Sequence, residues 1–199
     1  LSQNKGDITG IPTGFYDLDK VTSGLHAGEM IIIAARPGMG KTAFALNIAV
    51  NAAMQTKQAI AVFNLEMPAE QLVNRIISAQ GGIDAYKLQT GQMQERDWKR
   101  YNEAMNNLAE TNLYIEDNSG VTVSEIKAKC RRLANMPKGL GLVVIDYLQL
   151  IQGSGKKGAS REQEISEISR GLKILAKELD IPIIALSQLS RSVEAREEK

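Results

Sequence analysis

The chain has 199 residues, of which 43% are hydrophobic and 24% are charged, a composition typical of a folded globular domain. Its 24 Lys and Arg nearly balance its 23 Asp and Glu, so a bound polyanion must be held by local groups rather than by overall positive charge. The single Cys130 and the single His26 exclude a disulfide framework and argue against a cysteine and histidine metal site.

The sequence lacks the features of membrane and secreted proteins. No apolar run approaches the roughly 20 residues that a transmembrane helix requires. Residues 1–10 are polar and do not have the charged and then apolar profile of a secretory signal. We therefore expect a cytoplasmic protein without a membrane span.

Short apolar runs bounded by turn or polar residues predict buried parallel strands. They lie at residues 30–35, 59–65, 142–147 and 181–186. Because helical segments alternate with them, we expect a doubly wound α/β fold, with a mostly parallel central sheet and helices on both faces. Loops are expected at residues 1–10, at 81–91 with short helical pieces, and at 153–159.

Several helix starts have recognisable chemistry. Thr122 with Glu125, and Ser160 with Gln163, have the spacing of capping boxes. Pro68 suits the first position of a helix. Two segments carry an apolar stripe at helical spacing. In residues 94–111 the stripe is Trp98, Tyr101, Met105 and Leu108, and in the later helix it is Ile165, Ile168, Leu172, Leu175 and Leu179. We expect both stripes to contact the core.

The sharpest signal is the segment from Ala35 to Thr42, which leaves an apolar strand and enters a helix. It matches the phosphate-binding pattern G-x-x-x-x-G-K-[ST], with Ala35 in the first glycine position. Small residues let backbone amides wrap around phosphates, Lys41 reaches the terminal phosphates, and Thr42 supplies a hydroxyl to Mg²⁺. The predicted nucleotide-binding residues here are Arg36, Pro37, Gly38, Met39, Gly40, Lys41, Thr42 and Ala43.

Two carboxylates follow other predicted strands. Asp146 ends the apolar run before it, the arrangement by which many P-loop NTPases hold Mg²⁺, so it is the predicted metal ligand beside Thr42. Glu66 ends a second run and would face the same crevice, because ligands bind at the carboxyl ends of parallel strands. It is the candidate for activating the attacking water, and the alternative is a glutamate that favours a helix N-terminus.

Weaker signals concern Ser187, Gln188 and Arg75. Ser187 and Gln188 follow the last strand, where an amide could contact the γ-phosphate or its water. The alternative is a hydrogen-bonded strand end. Arg75 lies on the helix after Glu66 and is either a phosphate contact or a surface arginine.

These motifs, with IPTGFYDLD upstream, resemble the RecA-like ATPase core of the replicative DNA helicases of the DnaB family. The resemblance is carried by AARPGMGKTAFALN, FNLEMPAEQL, VVIDYLQLI and IALSQLSRSVEAR and covers nearly the whole chain. It implies a homo-hexamer that hydrolyses ATP with Mg²⁺ at subunit interfaces, moves along single-stranded DNA and unwinds duplex, with primase and a helicase loader as partners. In the matching positions, Lys41 and Thr42 bind triphosphate and Mg²⁺, Asp146 binds the metal, Glu66 activates water and Gln188 senses the γ-phosphate.

The resemblance also implies how the chain is divided. Residues 1–10 correspond to the end of an interdomain linker, and residues 11–199 correspond to the ATPase core without the downstream segment that bears the arginine finger. Since an arginine finger contributes roughly 10³ to 10⁵ in rate, we expect these residues alone to bind nucleotide and to turn it over slowly.

A further prediction concerns DNA. The basic residues that follow the metal strand and the last strand are candidates for sequence-independent phosphate contacts, and the alternative is solvated charged loops. They are Lys156, Lys157, Arg161, Arg191 and Arg196. Two other functions stay open: a RecA-like ATPase of the recombination or clock type, and a nucleotide-gated binding module without turnover.

Overall fold

The computed structural model describes residues 8–153 and 159–189. The helices are α1 (Tyr16–Thr22), α2 (Lys41–Gln55), α3 (Ala69–Gly81), α4 (Ala85–Thr90), α5 (Glu95–Ala109), α6 (Val123–Ala134) and α7 (Arg161–Leu179). The strands are β1 (Met30–Ala35), β2 (Ala59–Asn64), β3 (Leu113–Glu116), β4 (Leu140–Asp146) and β5 (Ile183–Gln188), and a 3₁₀ turn spans Leu148–Leu150. None of the described helices has the length and apolar character needed to cross a bilayer.

The five strands form one sheet in the order β1-β5-β4-β2-β3, with every neighbouring pair parallel. Because all carboxyl ends therefore lie at the same edge, residues distant in sequence become neighbours there. Asn64 lies beside Asp146 in the register, and Ala35 lies beside Gln188. The predicted parallel α/β sheet is confirmed.

Alternation along the strands divides the core between the two faces of the sheet. On one face, Phe63 and Ile145 pack with Ile126 of α6 and Leu172 of α7. On the other face, side chains of β2, β4 and β5 pack against Ile48 of α2 and Leu72 of α3. The strand residues of this layer are Ile60, Val62, Leu142, Val144, Ile184 and Leu186. A smaller cluster joins α3, α4 and α5 around Ile77 and Ala104. Helices thus cover both faces, as predicted.

Both capping boxes predicted from the sequence are confirmed. The Thr122 hydroxyl accepts from the Glu125 N–H while the Glu125 carboxylate accepts from the Thr122 N–H, and Ser160 and Gln163 do the same at the start of α7. In α7 the predicted stripe faces the core, with Ile168, Leu172 and Leu175 buried.

Other predictions are corrected by the structure. β3 was not predicted, because four residues at the margin of a sheet carry little pattern of their own. β1 was expected to be a central strand, but it lies at an edge of the described sheet, and its Ile32 side chain is 48% exposed. Trp98 was expected in the core and is exposed at the end of its stripe. Pro68 is the residue before α3 rather than its first helical residue.

Candidate nucleotide-binding site

The loop between β1 and α2 is shaped to receive an anion. Gly38 and Gly40 have φ angles of 77° and 83°, in the left-handed region that favours glycine, and a Cβ at either position would meet nothing within 4 Å. α2 has no side-chain cap and no acidic residue in its first turn. Its first amides and its dipole are therefore available to a phosphate rather than to the protein's own side chains.

Lys41, Thr42 and Asp146 converge at this loop. Strand alternation places Asp146 on the face of β4 that carries α2, and the Thr42 hydroxyl donates to its Oδ2 at 2.6 Å. The Lys41 Nζ lies 3.6 Å from Asp146 Oδ1, an ion pair that is too long for a hydrogen bond, and Oδ1 has no hydrogen-bond partner among the described residues. A buried carboxylate oxygen beside a hydroxyl is a donor set that suits Mg²⁺.

Tyr147, which the sequence reasoning missed, contacts Lys41 and interacts electrostatically with Glu66. The Lys41 Nζ lies 4.6 Å from the centroid of the Tyr147 ring, a cation–π distance. Burial raises the pKa of Tyr147, and the negative charges of Glu66 and Asp146 raise it further. The exposed Glu66 carboxylate therefore acts electrostatically on the phenol of Tyr147, whose ring lies against Lys41. The only sequence signal for Tyr147 was its place directly after Asp146.

Asn64 is a second residue that the sequence reasoning missed. Its Oδ1 accepts hydrogen bonds from the backbone N–H groups of Glu66 and Met67, both at 3.0 Å, and so shapes the turn that carries Glu66. The side chain is buried beside Asp146, and its Nδ2 has no partner. The sequence signal available for Asn64 was a polar residue at the end of an apolar strand, since ligands bind at the carboxyl ends of parallel strands.

Gln188 ends β5 beside Ala35, where the phosphate-binding loop begins. The side-chain amide of Gln149, in the 3₁₀ turn, reaches this strand end. Its Nε2 donates to the Ser187 hydroxyl at 3.0 Å and to the Gln188 carbonyl at 3.3 Å, and its Oε1 accepts from the Gln188 N–H at 3.2 Å. Ser187 is thus a hydrogen-bonded strand end, the alternative that the sequence left open for it.

Arg75 lies on α3 and lines a shallow groove against Ala43 and Asn47 of α2. It is therefore brought to the helix that follows the phosphate-binding loop. The remaining predicted loop residues, Arg36, Pro37 and Met39, are exposed around the two glycines.

Of the DNA candidates, only Arg161 belongs to the described residues. Its guanidinium donates to the carbonyls of Gln149 and Ile151, at 2.7 and 3.0 Å, and pairs with Glu164 at 2.7 Å. These contacts give Arg161 a role in holding the 3₁₀ turn, and its DNA contact stays a prediction. The other four candidates lie outside the described residues, and they are Lys156, Lys157, Arg191 and Arg196.

The chain is similar to known replicative helicases along its whole length. It is 57% identical over 199 residues to the replicative DNA helicase DnaC of Bacillus subtilis and 56% identical to the replicative DNA helicase DnaB of Geobacillus stearothermophilus. In both comparisons all of this chain is covered, and it spans 44% of the relative's length.

Solved structures agree with the sequence relatives. The ATPase domain of G40P superposes with a TM-score of 0.90 at 40% identity, covering 97% of this chain and 68% of that one. A DnaB-like replicative helicase, solved in a study of its interactions with primase, gives the same TM-score and identity over 97% of this chain and 46% of its own. The family model of the DnaB-like helicase C-terminal domain matches residues 10–199 of this sequence, and the chain belongs to that family.

Proposed function

We propose that this chain is the ATP-driven motor domain of a replicative DNA helicase. What supports the proposal most directly is the convergence of Lys41, Thr42 and Asp146 on an uncapped helix N-terminus, next to a loop whose glycines leave open space. That combination suits the triphosphate tail of a nucleotide better than it suits a neutral ligand, since it joins backbone amides at a helix N-terminus to an ammonium, a hydroxyl and a carboxylate.

The loop from Arg36 to Ala43, through its backbone N–H groups at every position except Pro37, and the Lys41 ammonium would bind the β- and γ-phosphates of ATP. Thr42 and Asp146 would hold the Mg²⁺ that accompanies the nucleotide, and that ion supplies charge neutralisation at the phosphates. Asp146 keeps an oxygen without a hydrogen-bond partner, which leaves it able to accept from a metal-bound water.

Glu66 would accept a proton from the attacking water as the water oxygen bonds to the γ-phosphorus and the bond to the β-phosphate oxygen breaks. The turn fixed by Asn64 supports this placement, since Glu66 follows the strand end that lies beside Asp146. Gln188 would contact the γ-phosphate or its water, since it ends the strand beside the loop. Arg75 would approach the nucleotide from α3.

Membership of the family also supports a proposal about the larger assembly. We propose that the chain acts in a cytoplasmic homo-hexamer that moves along single-stranded DNA, with primase and a helicase loader as partners. Lys156, Lys157, Arg161, Arg191 and Arg196 are the proposed DNA contacts. Because such contacts go to phosphates, binding would weaken steeply as salt is raised.

Titration calorimetry with ATP and Mg²⁺ tests the nucleotide site. We expect a saturable heat with this chain and a loss of affinity of roughly tenfold to a hundredfold in Lys41→Ala, the range for removing a charge-assisted hydrogen bond. Lys57→Ala, which removes an exposed lysine near the opposite edge of the sheet, is the matched control and should bind normally. Equal heats from all three proteins would refute the site.

A second measurement distinguishes a motor from a nucleotide-gated module. Release of phosphate above the Lys41→Ala background, stimulated by single-stranded DNA, supports the motor. Because these residues alone are expected to turn ATP over slowly, the decisive assay uses a protein that also carries the downstream arginine-finger segment. Binding of ATP with no release of phosphate by that protein in the presence of DNA would favour the binding module.

A further inference from the structure

The last residues of β5 pair with β1 on one side but extend past the end of β4 on the other. The register between β4 and β5 ends at Ile145 and Ala185, whereas β5 continues to Gln188. After Asp146 the chain leaves the sheet for the 3₁₀ turn, so β4 offers Gln188 no ladder partner.

The unpaired side of Gln188 can be identified from its neighbour. The N–H of Leu189 donates to the Ala35 carbonyl at 3.0 Å, toward β1. Because successive residues of a strand direct their N–H and C=O groups to opposite sides, both groups of Gln188 point the other way, toward the place that β4 has left. Left without partners there, a half-buried amide and carbonyl would each cost free energy.

The Gln149 carboxamide occupies that place. It accepts from the Gln188 N–H and donates to the Gln188 carbonyl, so it pairs with both backbone groups of one residue as a neighbouring strand would. Its remaining contact is the Ser187 hydroxyl. The side chain of Gln149 therefore continues the ladder past the end of β4.

Gln149 is itself held in position by a hydrogen bond from α7. Arg161, the first residue of α7, donates to the Gln149 carbonyl at 2.7 Å and also to the Ile151 carbonyl. The carboxamide thus projects from a turn that is fixed by an arginine, and only two residues separate Gln149 from Asp146. The end of β5 is tied in this way to the segment that carries the metal carboxylate.

We propose that Gln149 is a positioning residue for the nucleotide site: it sets the backbone of Gln188 so that the Gln188 side chain reaches the γ-phosphate. This inference rests on the proposed function, because it assumes the γ-phosphate contact of Gln188. Alternation places Gln188 on the face of β5 that carries α2, with Leu186, so a shift of its backbone would move its side chain relative to the phosphate-binding loop.

The test compares affinities for Mg²⁺-ATPγS and Mg²⁺-ADP, measured by calorimetry on the 199-residue chain. We expect Gln149→Leu to lower the preference for ATPγS over ADP by about tenfold, the range for losing two ordinary hydrogen bonds, with ADP affinity unchanged. Gln188→Ala should lower the same ratio. The double variant should be no worse than Gln188→Ala alone, since Gln149 acts through Gln188.

Two further variants keep the test decisive if Gln149→Leu folds poorly. Gln149→Glu retains an acceptor for the Gln188 N–H but loses the donor to the Gln188 carbonyl and the Ser187 hydroxyl, so we expect a smaller loss of the ratio than in Gln149→Leu. Gln152→Leu changes an exposed glutamine of the same segment and should leave the ratio unchanged.

The outcomes separate the inference from the proposed function. A lowered ratio in Gln188→Ala with a normal ratio in Gln149→Leu and Gln149→Glu overturns the inference and leaves the function standing. Equal losses for ADP and ATPγS in the Gln149 variants show a structural role only and also overturn it. An unchanged ratio in Gln188→Ala removes the γ-phosphate contact from the proposed function and the inference with it.

Discussion

The side chains at the carboxyl edge of the sheet interact with one another as well as with the proposed ligand. Lys41 and Asp146 are almost wholly removed from water, with side chains 8% and 3% exposed, and each compensates the other's charge. An unpaired charge at that depth would be costly, so the pair also contributes to the stability of the fold. Thr42 and Tyr147 complete the surroundings of the two charges.

Asn64 offers a test at the scale of one residue. In Asn64→Ala the N–H groups of Glu66 and Met67 lose their acceptor, so the turn that carries Glu66 should become less well positioned. We expect single-turnover ATP hydrolysis to slow by roughly tenfold, the equivalent of one or two hydrogen bonds, while ATP affinity changes less than twofold.

The matched control is Asn112→Ala, which removes an exposed side-chain amide bonded to the Lys57 carbonyl, away from the ligand edge. The single-turnover hydrolysis rates of the two variants are obtained by quenched-flow measurement of released phosphate. A large loss of ATP affinity in Asn64→Ala would show that Asn64 serves the loop as a whole and not the position of Glu66.

Helix starts show how far local chemistry determines an element. The capping boxes at Thr122 and Ser160 have a hydroxyl side chain at the N-cap and Glu or Gln three residues later, so they were predictable from the sequence. A third box, at the start of α5, uses Gln94 and Asp97 instead. It was missed because a glutamine cap followed by aspartate does not have the usual residue types.

The Glu125 carboxylate predicts a pH dependence of stability. Hydrogen bonds from the backbone and side chain of Thr122 hold the pKa of Glu125 below its ordinary value of 4.5. A lowered folded pKa stabilises the protein above the unfolded pKa, and this stabilisation is lost as the pH falls through the folded pKa. We expect the wild-type chain to exceed Glu125→Gln in unfolding free energy at pH 7 and this advantage to shrink below about pH 4.5.

Urea denaturation of both proteins across this pH range provides the measurement. Glu103→Gln, at an exposed position on α5, controls for the loss of one negative charge. A difference between wild type and Glu125→Gln that stays constant from pH 7 to below the pKa of Glu125 would contradict the assignment.

At the scale of the whole molecule, the sheet separates two apolar layers, so core residues on opposite faces do not touch. Cys130 of α6 belongs to one of these layers and is 0% exposed. Burial raises the pKa of its thiol to about 12. The thiol is therefore both shielded from reagents and protonated at ordinary pH.

Cys130, the single cysteine of the chain, is consequently a reporter of global unfolding. At pH 8 we expect labelling by a soluble thiol reagent to be at least about a thousandfold slower than for an ordinary thiol, because the thiolate fraction is that much lower. The rate should rise in urea in parallel with loss of circular dichroism. Rapid labelling of the native protein would show that the layer between α6 and the sheet opens locally.

The sequence by itself determined the features that depend on near neighbours. Apolar runs predicted four of the five described strands, box spacing predicted two helix starts, and the run from Gly38 to Thr42 predicted the phosphate-binding loop. Each is a local pattern, because side-chain periodicity and capping act within a few residues.

Only the tertiary structure decided the rest. Asn64, Tyr147 and Gln149 became candidates once the parallel sheet brought the ends of β2, β4 and β5 to one edge. Arg161 was found to hold the 3₁₀ turn, and β1 was found at the edge of the described sheet. Strand order and long-range hydrogen bonds depend on which segments pair, and no local pattern contains that information.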